Sequence, residues 1–525
     1  MSRQRNPKPT LGAPSERGVG RMGQDQPVHP PKDPRPPARR VARNTALRAA
    51  AEIVGKVASV VLFAYIAREL GQVTLGEFVF ALALSQIIWA VAGFGLDRLL
   101  LRDVAREREA AIDRLFWNMV AFKLSAGVAG VALAVLAVWL LGYSATVQQL
   151  VAILGVSFIV VLVSSSAQTV FQAYERMEYY FYAAVPNKIL AALFGIGALV
   201  LGGGIVAVAL GNLAAALLAL VLAMLILGWR FVRPSPSVRP REWPRLARVS
   251  APFGLQEVLG QIIFRMDIVL LSLFASSAVV GAYGAAYRVL EATLFLAWSI
   301  GTSVLPMYSY LEPGDDPPLE RVFEASLKFV VVIMLPAAVI MLVCAEGLVD
   351  LLYGLPDFDG AVAVMRWLSF AIVAYGVGHL AGVLVLVRRP GRVTVRAMAG
   401  VVVFNIAITL ALIGPFEAEG VAAATLATEV VLAATVLVLA RPVTAVPSAW
   451  RVAGPALLAG AAMAGAMWPV RDQLAIALPL GVIVYLAMVG VLEARRLGGD
   501  LAALRGMLRS PAGASPVPET ARLEE

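Results

Sequence analysis

The chain has 525 residues, of which 59% are hydrophobic and only 15% charged, with a mean hydropathy of +0.79. Soluble domains carry about 25% charged residues, so this composition excludes a soluble multidomain protein and leaves a polytopic membrane protein. The single cysteine, Cys344, excludes an internal disulfide framework, and the net charge of +9 reads as loop topology rather than nucleic-acid binding.

Residues 1–43 hold nine prolines and ten Lys/Arg without clustered apolar residues. Such a stretch buries too little surface to offset ordering, so a disordered basic tail is expected, and no signal peptide is read. From Asn44 onward, apolar runs of about 20 residues recur, the length a helix needs to cross ~30 Å of hydrocarbon. They fall at about 45–67, 75–97, 115–141, 147–172, 183–202, 205–229, 250–274, 279–305, 322–345, 361–387, 393–413, 418–440, 451–469 and 473–493. Backbone groups in hydrocarbon must pair within their own segment, so these runs are helices. The expected fold is an all-α polytopic membrane protein with fourteen transmembrane helices. A six-helix N-lobe covers 44–229, a linker 230–249 and a six-helix C-lobe 250–440. Two further spans follow over 441–493, then a tail over 494–525.

The loops support this count. With the N-terminus placed inside, the inner segments carry 35 of the 44 Lys/Arg, and the outer loops carry two, Arg68 and Arg471. That asymmetry puts both termini in the cytoplasm of a cell-membrane protein. The weakest inner loop is 306–321, where Glu312, Asp315, Asp316 and Glu320 face one arginine. A faint internal repeat joins the halves. Leu75-Gly76-Glu77-Phe78 opens span two, and Val280-Gly281-Ala282-Tyr283 opens span eight, 205 residues later. Two lobes related by duplication place a substrate site at their interface.

The string Asn44, Lys56, Tyr65-Ile66-Ala67-Arg68-Glu69-Leu70-Gly71, Leu75-Gly76-Glu77-Phe78, Phe94-Gly95-Leu96 and Arg102-Asp103-Val104-Ala105-Arg106 resembles the opening of the Wzx-like polysaccharide flippases. These belong to the multidrug/oligosaccharidyl-lipid/polysaccharide exporter superfamily. Arg265-Met266-Asp267, Ala286-Tyr287-Arg288 and Pro306 extend the resemblance, which covers about residues 44–440. It implies two lobes around a central cavity. It also implies transport of a polyprenyl-pyrophosphate-linked oligosaccharide from the cytoplasmic to the outer leaflet by alternating access. Other polysaccharide-assembly proteins and membrane lipid are the implied partners. In the related lipid II flippases the last two helices line a groove for the lipid tail, and the resemblance extends that role to spans thirteen and fourteen.

Charges inside spans are rare unless they have a partner or a wet cavity. Glu52 and Lys56 are one helical turn apart and are expected to pair, as are Arg288 and Glu291. Arg265 and Asp267 point in different directions, and Glu257 lies two turns before Arg265. Lys56, Lys123, Arg265 and Arg288 are the expected cavity cations that neutralise a lipid pyrophosphate. Glu52, Glu257, Asp267, Glu291 and Glu429 are expected to space these cations or to bind a coupling H+ or Na+. Lys328 and Arg366 read as structural or snorkelling. Asn212 and Asn405 are neutral polar positions in spans. Pro336 is the expected hinge of span nine, and Gly93, Gly95, Gly376 and Gly378 serve either as hinges or as packing points.

Several chemistries lack support. Ala51-Glu52-Ile53-Val54-Gly55-Lys56-Val57 lacks the leading Gly and the final Ser/Thr of a P-loop. Asp357-Phe358-Asp359 stands in a short loop without a catalytic domain. His29 and His379 are too few for a metal site. The expectation is therefore a transporter, with no enzymatic site, no cofactor and no nucleic-acid partner. The rival readings are a multidrug cation antiporter of the same superfamily and a membrane-embedded polysaccharide polymerase or glycosyltransferase.

Overall fold

The computed structural model describes residues 37–234, 236–311, 318–389 and 391–509, with side chains described outside 37–49, 392 and 493–509. Most of the expected N-terminal tail, His29, the acidic residues Glu312, Asp315 and Asp316, and residues 510–525 lie outside the described residues. Among the described residues there are fourteen α-helices and two short 3-10 turns. They are α1 (Pro37–Gly93), α2 (Leu96–Glu107), α3 (Glu109–Leu140), α4 (Ala145–Ala173), α5 (Met177–Val200), α6 (Ile205–Arg230), α7 (Trp243–Phe274), α8 (Ser277–Tyr310), α9 (Leu319–Val343), α10 (Ala345–Leu352), α11 (Asp359–Arg388), α12 (Arg392–Ala440), α13 (Ala449–Met467) and α14 (Leu474–Arg509).

Eleven of these helices are long and apolar enough to cross a membrane. At 1.5 Å per residue, α1 and α12 are too long for one crossing. Each breaks sharply, α1 at Gly71 (φ 78°, ψ 177°) and α12 at Glu417 (φ 44°, ψ −123°), and so supplies two crossings. Helix α7 is not among the eleven, but its 32 residues are long enough to cross, and counting it gives the fourteen expected. Between α5 and α6 the chain turns within four residues, with Gly202 at φ 78°, where a side chain is strained.

The structure departs from the sequence expectation in three places. Helix α1 begins at Pro37, so residues 37–43 are helical rather than part of a disordered tail. Proline is favoured in the first turn of a helix, and the Ala/Arg-rich residues that follow are good helix formers. The loop after span two contains α2, whose Leu96, Leu99, Leu100 and Val104 are buried along one face. The loop after span nine contains α10, whose Ala345 and Val349 are buried. Pro336 lies inside α9, which runs from Leu319 to Val343 without a break.

Helices α1 to α6 pack on one another, as do α7 to α12, while α13 and α14 lie against α9. The two groups meet mainly through α1 with α7 and α8. The near end is where α1 begins, and the far end is where it turns at Gly71. At the far end the repeat glycines face each other. A β-carbon on Gly76 would lie 1.8 Å from the Ser277 carbonyl oxygen, and one on Gly281 would lie 2.1 Å from that of Gln72. Only glycine lets these backbones approach so closely. Tyr143 adds contacts to Ser272 Oγ (3.0 Å) and its carbonyl oxygen (3.1 Å). At the near end, a β-carbon on Gly95 would lie 2.5 Å from Gly254 N, and one on Gly254 would lie 2.6 Å from the Phe94 oxygen.

Candidate functional site

Between these two seams lies a chamber lined from α1 by Phe63, Val79, Leu82, Ala83 and Gln86, and from α7 and α8 by Arg265, Ile268, Gly284, Tyr287, Arg288 and Glu291. As it stands the space between these side chains is only about the size of a water molecule. The chamber must widen to hold anything larger.

Its charge is unbalanced. Glu291 accepts hydrogen bonds from Arg265 Nη2 and, at 2.8 Å, from Arg288 Nη1. Lys56 adds a third cation under the electrostatic influence of Glu291, Arg288 and Arg265. Two arginines thus share one carboxylate, and Lys56 adds positive charge within electrostatic reach. Arg265 Nε and Arg288 Nε are buried without a hydrogen-bond partner, so each guanidinium keeps donor capacity. The Arg288 guanidinium carbon stands 3.6 Å from the Phe63 ring centroid, and that of Arg265 stands 5.7 Å from the Tyr287 ring. Lys56 and Phe63 are seven residues apart, which puts them on one face of α1. The α1 face thus meets Arg288 across the boundary between the two helix groups.

The remaining expected site residues lie elsewhere. Lys123 is not a chamber cation. Its side chain is 0% exposed within α1–α6, and its ammonium pairs with Asp97 and donates to Ser166 Oγ at 2.8 Å. Ser165 donates to the other Asp97 oxygen at 2.7 Å. Glu52 pairs with Lys188 of α5 at 3.0 Å rather than with Lys56. Glu257 lies at the near-end seam, beside the Gly95 amide and the charges of Arg98, Asp97 and Lys123.

Asp267 and Glu429 form a second buried group inside α7–α12. Asp267 accepts from the Tyr283 hydroxyl, from Ile268 N at 2.8 Å and from Thr425 Oγ1 at 3.5 Å. Glu429 is within electrostatic reach of Asp267. Glu429 Oε2, Asn405 Oδ1 and Thr409 Oγ1 are buried without hydrogen-bond partners, and Asn405 Nδ2 donates to Thr428 Oγ1 at 3.0 Å. Hydrogen bonds thus join α7 to the second half of α12 through Thr425, and the two halves of α12 through Asn405 and Thr428. Asn212 lies apart from both groups and accepts from Ser157 Oγ at 2.6 Å.

Lys328 pairs with Glu324 at 2.9 Å, and Arg366 reaches Glu346 at 3.8 Å near the far-end surface. His379 stacks on Tyr375 and packs over Gly301. Gly376 and Gly378 serve packing, against Met334 and Ala433. Phe358 of the Asp-Phe-Asp string is buried against Tyr353. Among the described residues, no group of three or more His, Cys, Asp or Glu side chains is placed to hold a metal.

The span charges gave no indication of two further contacts. Arg68 donates to the last carbonyls of α10, Asp350 (3.1 Å), Leu351 (2.8 Å) and Leu352 (3.2 Å), and so ties α1 to α10 at the far end. A cation at a helix C-terminus is favoured by the dipole. Next to it, burial raises the Tyr353 hydroxyl above its ordinary pKa, so it stays protonated and donates to the Ala285 oxygen at 2.9 Å. Asn118 holds the linker. Its Oδ1 accepts from Arg239 N (3.1 Å) and Trp243 Nε1 (2.9 Å), so these two residues dock on α3.

Residues 41–312 match the family model described as polysaccharide biosynthesis protein. The Haloferax volcanii protein named "Probable low-salt glycan biosynthesis flippase Agl15" is 26% identical over 231 residues, which is 43% of this chain and 48% of that protein. The chain thus spans about half the length of this curated relative. Among solved structures, the lipid II flippase MurJ in an inward closed conformation superposes with a TM-score of 0.71. The identity is 15%, over 85% of this chain and 99% of that one. An inward-facing multidrug resistance MATE family transporter of the MOP superfamily superposes with a TM-score of 0.60. The identity is 14%, over 74% of this chain and 94% of that one.

Proposed function

Because this chain belongs to the polysaccharide biosynthesis protein family, as a multi-pass membrane transporter of the MOP superfamily, we propose that it flips a polyprenyl-pyrophosphate-linked oligosaccharide from the cytoplasmic to the outer leaflet. The observation that carries this reading is the chamber in which Arg265 and Arg288 share the carboxylate Glu291, with the Lys56 charge within electrostatic reach of all three. A pyrophosphate moving through hydrocarbon needs fixed positive charge with donors to spare, and arginine meets phosphate with a planar fork. The loop-charge asymmetry makes the near end cytoplasmic. With the chamber closed by main-chain seams at both ends, alternating access is the separation of one seam while the other holds. The Asp267/Glu429 group, with its unpaired oxygens, is the candidate for a coupling H+ or Na+.

A multidrug cation antiporter is the second reading, supported by the structural likeness to a MATE transporter. The sign of the chamber opposes it, since a cationic drug would meet three cations. The test is reconstitution in liposomes with a labelled polyprenyl-diphosphate sugar. Wild type moves the label across the bilayer, Arg265→Lys keeps part of the rate, and Arg265→Ala loses it. Full transport by Arg265→Ala at normal expression would refute the role of the chamber.

A further inference from the structure

Lys188 is a membrane cation that the charge reading of the spans passed over. It stands on α5, with its ammonium 3.0 Å from Glu52 Oε2 on α1. Its stem crosses α1 at Gly55, where a β-carbon would lie 2.2 Å from Lys188 Cδ and 3.0 Å from its Nζ. Gly55 is thus a notch that fits this side chain, and it brings the ammonium onto α1 at Glu52. The pair is accessible, with side-chain exposures of 31% for Lys188 and 24% for Glu52, against 0% for the sealed Lys123. Glu52 also acts electrostatically on Lys56. It precedes Lys56 by four residues, about 6 Å nearer the start of α1.

We propose that Lys188 and Glu52 form an entry station for the diphosphate headgroup, one step before the chamber. This rests on the anionic-headgroup reading above. The incoming phosphate takes Lys188 from Glu52, and Lys56 then draws it on toward Arg265 and Arg288. An ammonium suits such an exchange, because it is a compact point charge with three rotatable donors and no planar fit to satisfy. Glu52 neutralises the ammonium while the path is empty, when an unpaired charge in the span would be costly. The carboxylate therefore competes with the ligand, so its removal strengthens binding.

The test measures affinity of the full-length protein in detergent for farnesyl diphosphate and, separately, for inorganic pyrophosphate. Lys188→Ala is expected to weaken farnesyl diphosphate binding about tenfold, and Lys188→Arg to weaken it less. Gly55→Ala, which drives Lys188 off α1, should match Lys188→Ala. Glu52→Gln should tighten binding severalfold. These opposite signs set a binding station apart from a structural ion pair, whose two halves would both lower the melting temperature and leave affinity unchanged. That second pattern would overturn the proposal. If Arg288→Ala abolishes binding while Lys188→Ala and Glu52→Gln do not alter it, the entry station fails and the chamber stands. If Arg288→Ala also has no effect, the anionic-headgroup reading fails with it. Equal affinity for farnesyl diphosphate and inorganic pyrophosphate would assign the station to a free anion and overturn its assignment to a lipid headgroup.

Discussion

The two helix groups treat charge in opposite ways. In α1–α6, Lys123 is sealed with Asp97, and Ser165 and Ser166 complete the contacts of the pair. In α7–α12, Arg265 and Arg288 share Glu291, one on each carboxylate oxygen, and keep buried guanidinium nitrogens unpaired. Both arrangements put cations deep in spans. A lysine whose partners are complete stabilises one conformation, whereas arginines short of partners can take on a ligand. The number of partners therefore tells the two apart better than depth does.

The largest effect that would sharpen this contrast is on stability. Lys123→Ala leaves Asp97 without its cation and is expected to cost about 3 kcal/mol, the low end for a broken buried pair because Asp97 is partly exposed. Thermal unfolding in detergent measures it, and Lys123→Met combined with Asp97→Leu should recover most of the loss. Arg288→Ala is expected to slow transport about ten- to a hundredfold, the weight of one charge-assisted hydrogen bond of ~1.5–3 kcal/mol, with an unfolding midpoint close to wild type. An unfolding loss as large as that of Lys123→Ala would erase the distinction between the two groups. Within α7–α12, Glu429→Gln should leave basal transport nearly intact and abolish its stimulation by an imposed H+ or Na+ gradient. Stimulation that survives this change would remove Glu429 from coupling. The smallest effect is at the far end. Arg68→Ala removes the cation from the α10 C-terminus, worth ~0.3–1 kcal/mol. It should raise labelling of a cysteine at Gln86 by an impermeant reagent from the outer face two- to fivefold, and unchanged labelling would show that the glycine seam holds alone.

The fourteen crossings were legible because hydrocarbon demands long apolar runs, and the breaks at Gly71, Gly202 and Glu417 fall where hydropathy dips. Helix α2 was legible in principle, since Leu96, Leu99, Leu100 and Val104 repeat at helical spacing within the charged loop. Of the chamber, Lys56, Arg265, Arg288 and Glu291 were visible as charges in spans. Their sharing of one carboxylate was visible only for Arg288 and Glu291, which lie one turn apart on α8. The pairs Lys123–Asp97 and Lys188–Glu52 join residues 26 and 136 positions apart, and local spacing carries no trace of such contacts. Local spacing instead suggested Glu52 with Lys56, a pairing that Gly55 disfavours by admitting Lys188 between the helices.

At Gly76 and Gly281 it is peptide atoms, not side chains, that meet across the two halves. The contact that closes the chamber at that point is therefore independent of the side chains that line it. Chamber side chains are free to vary while this contact stays as it is.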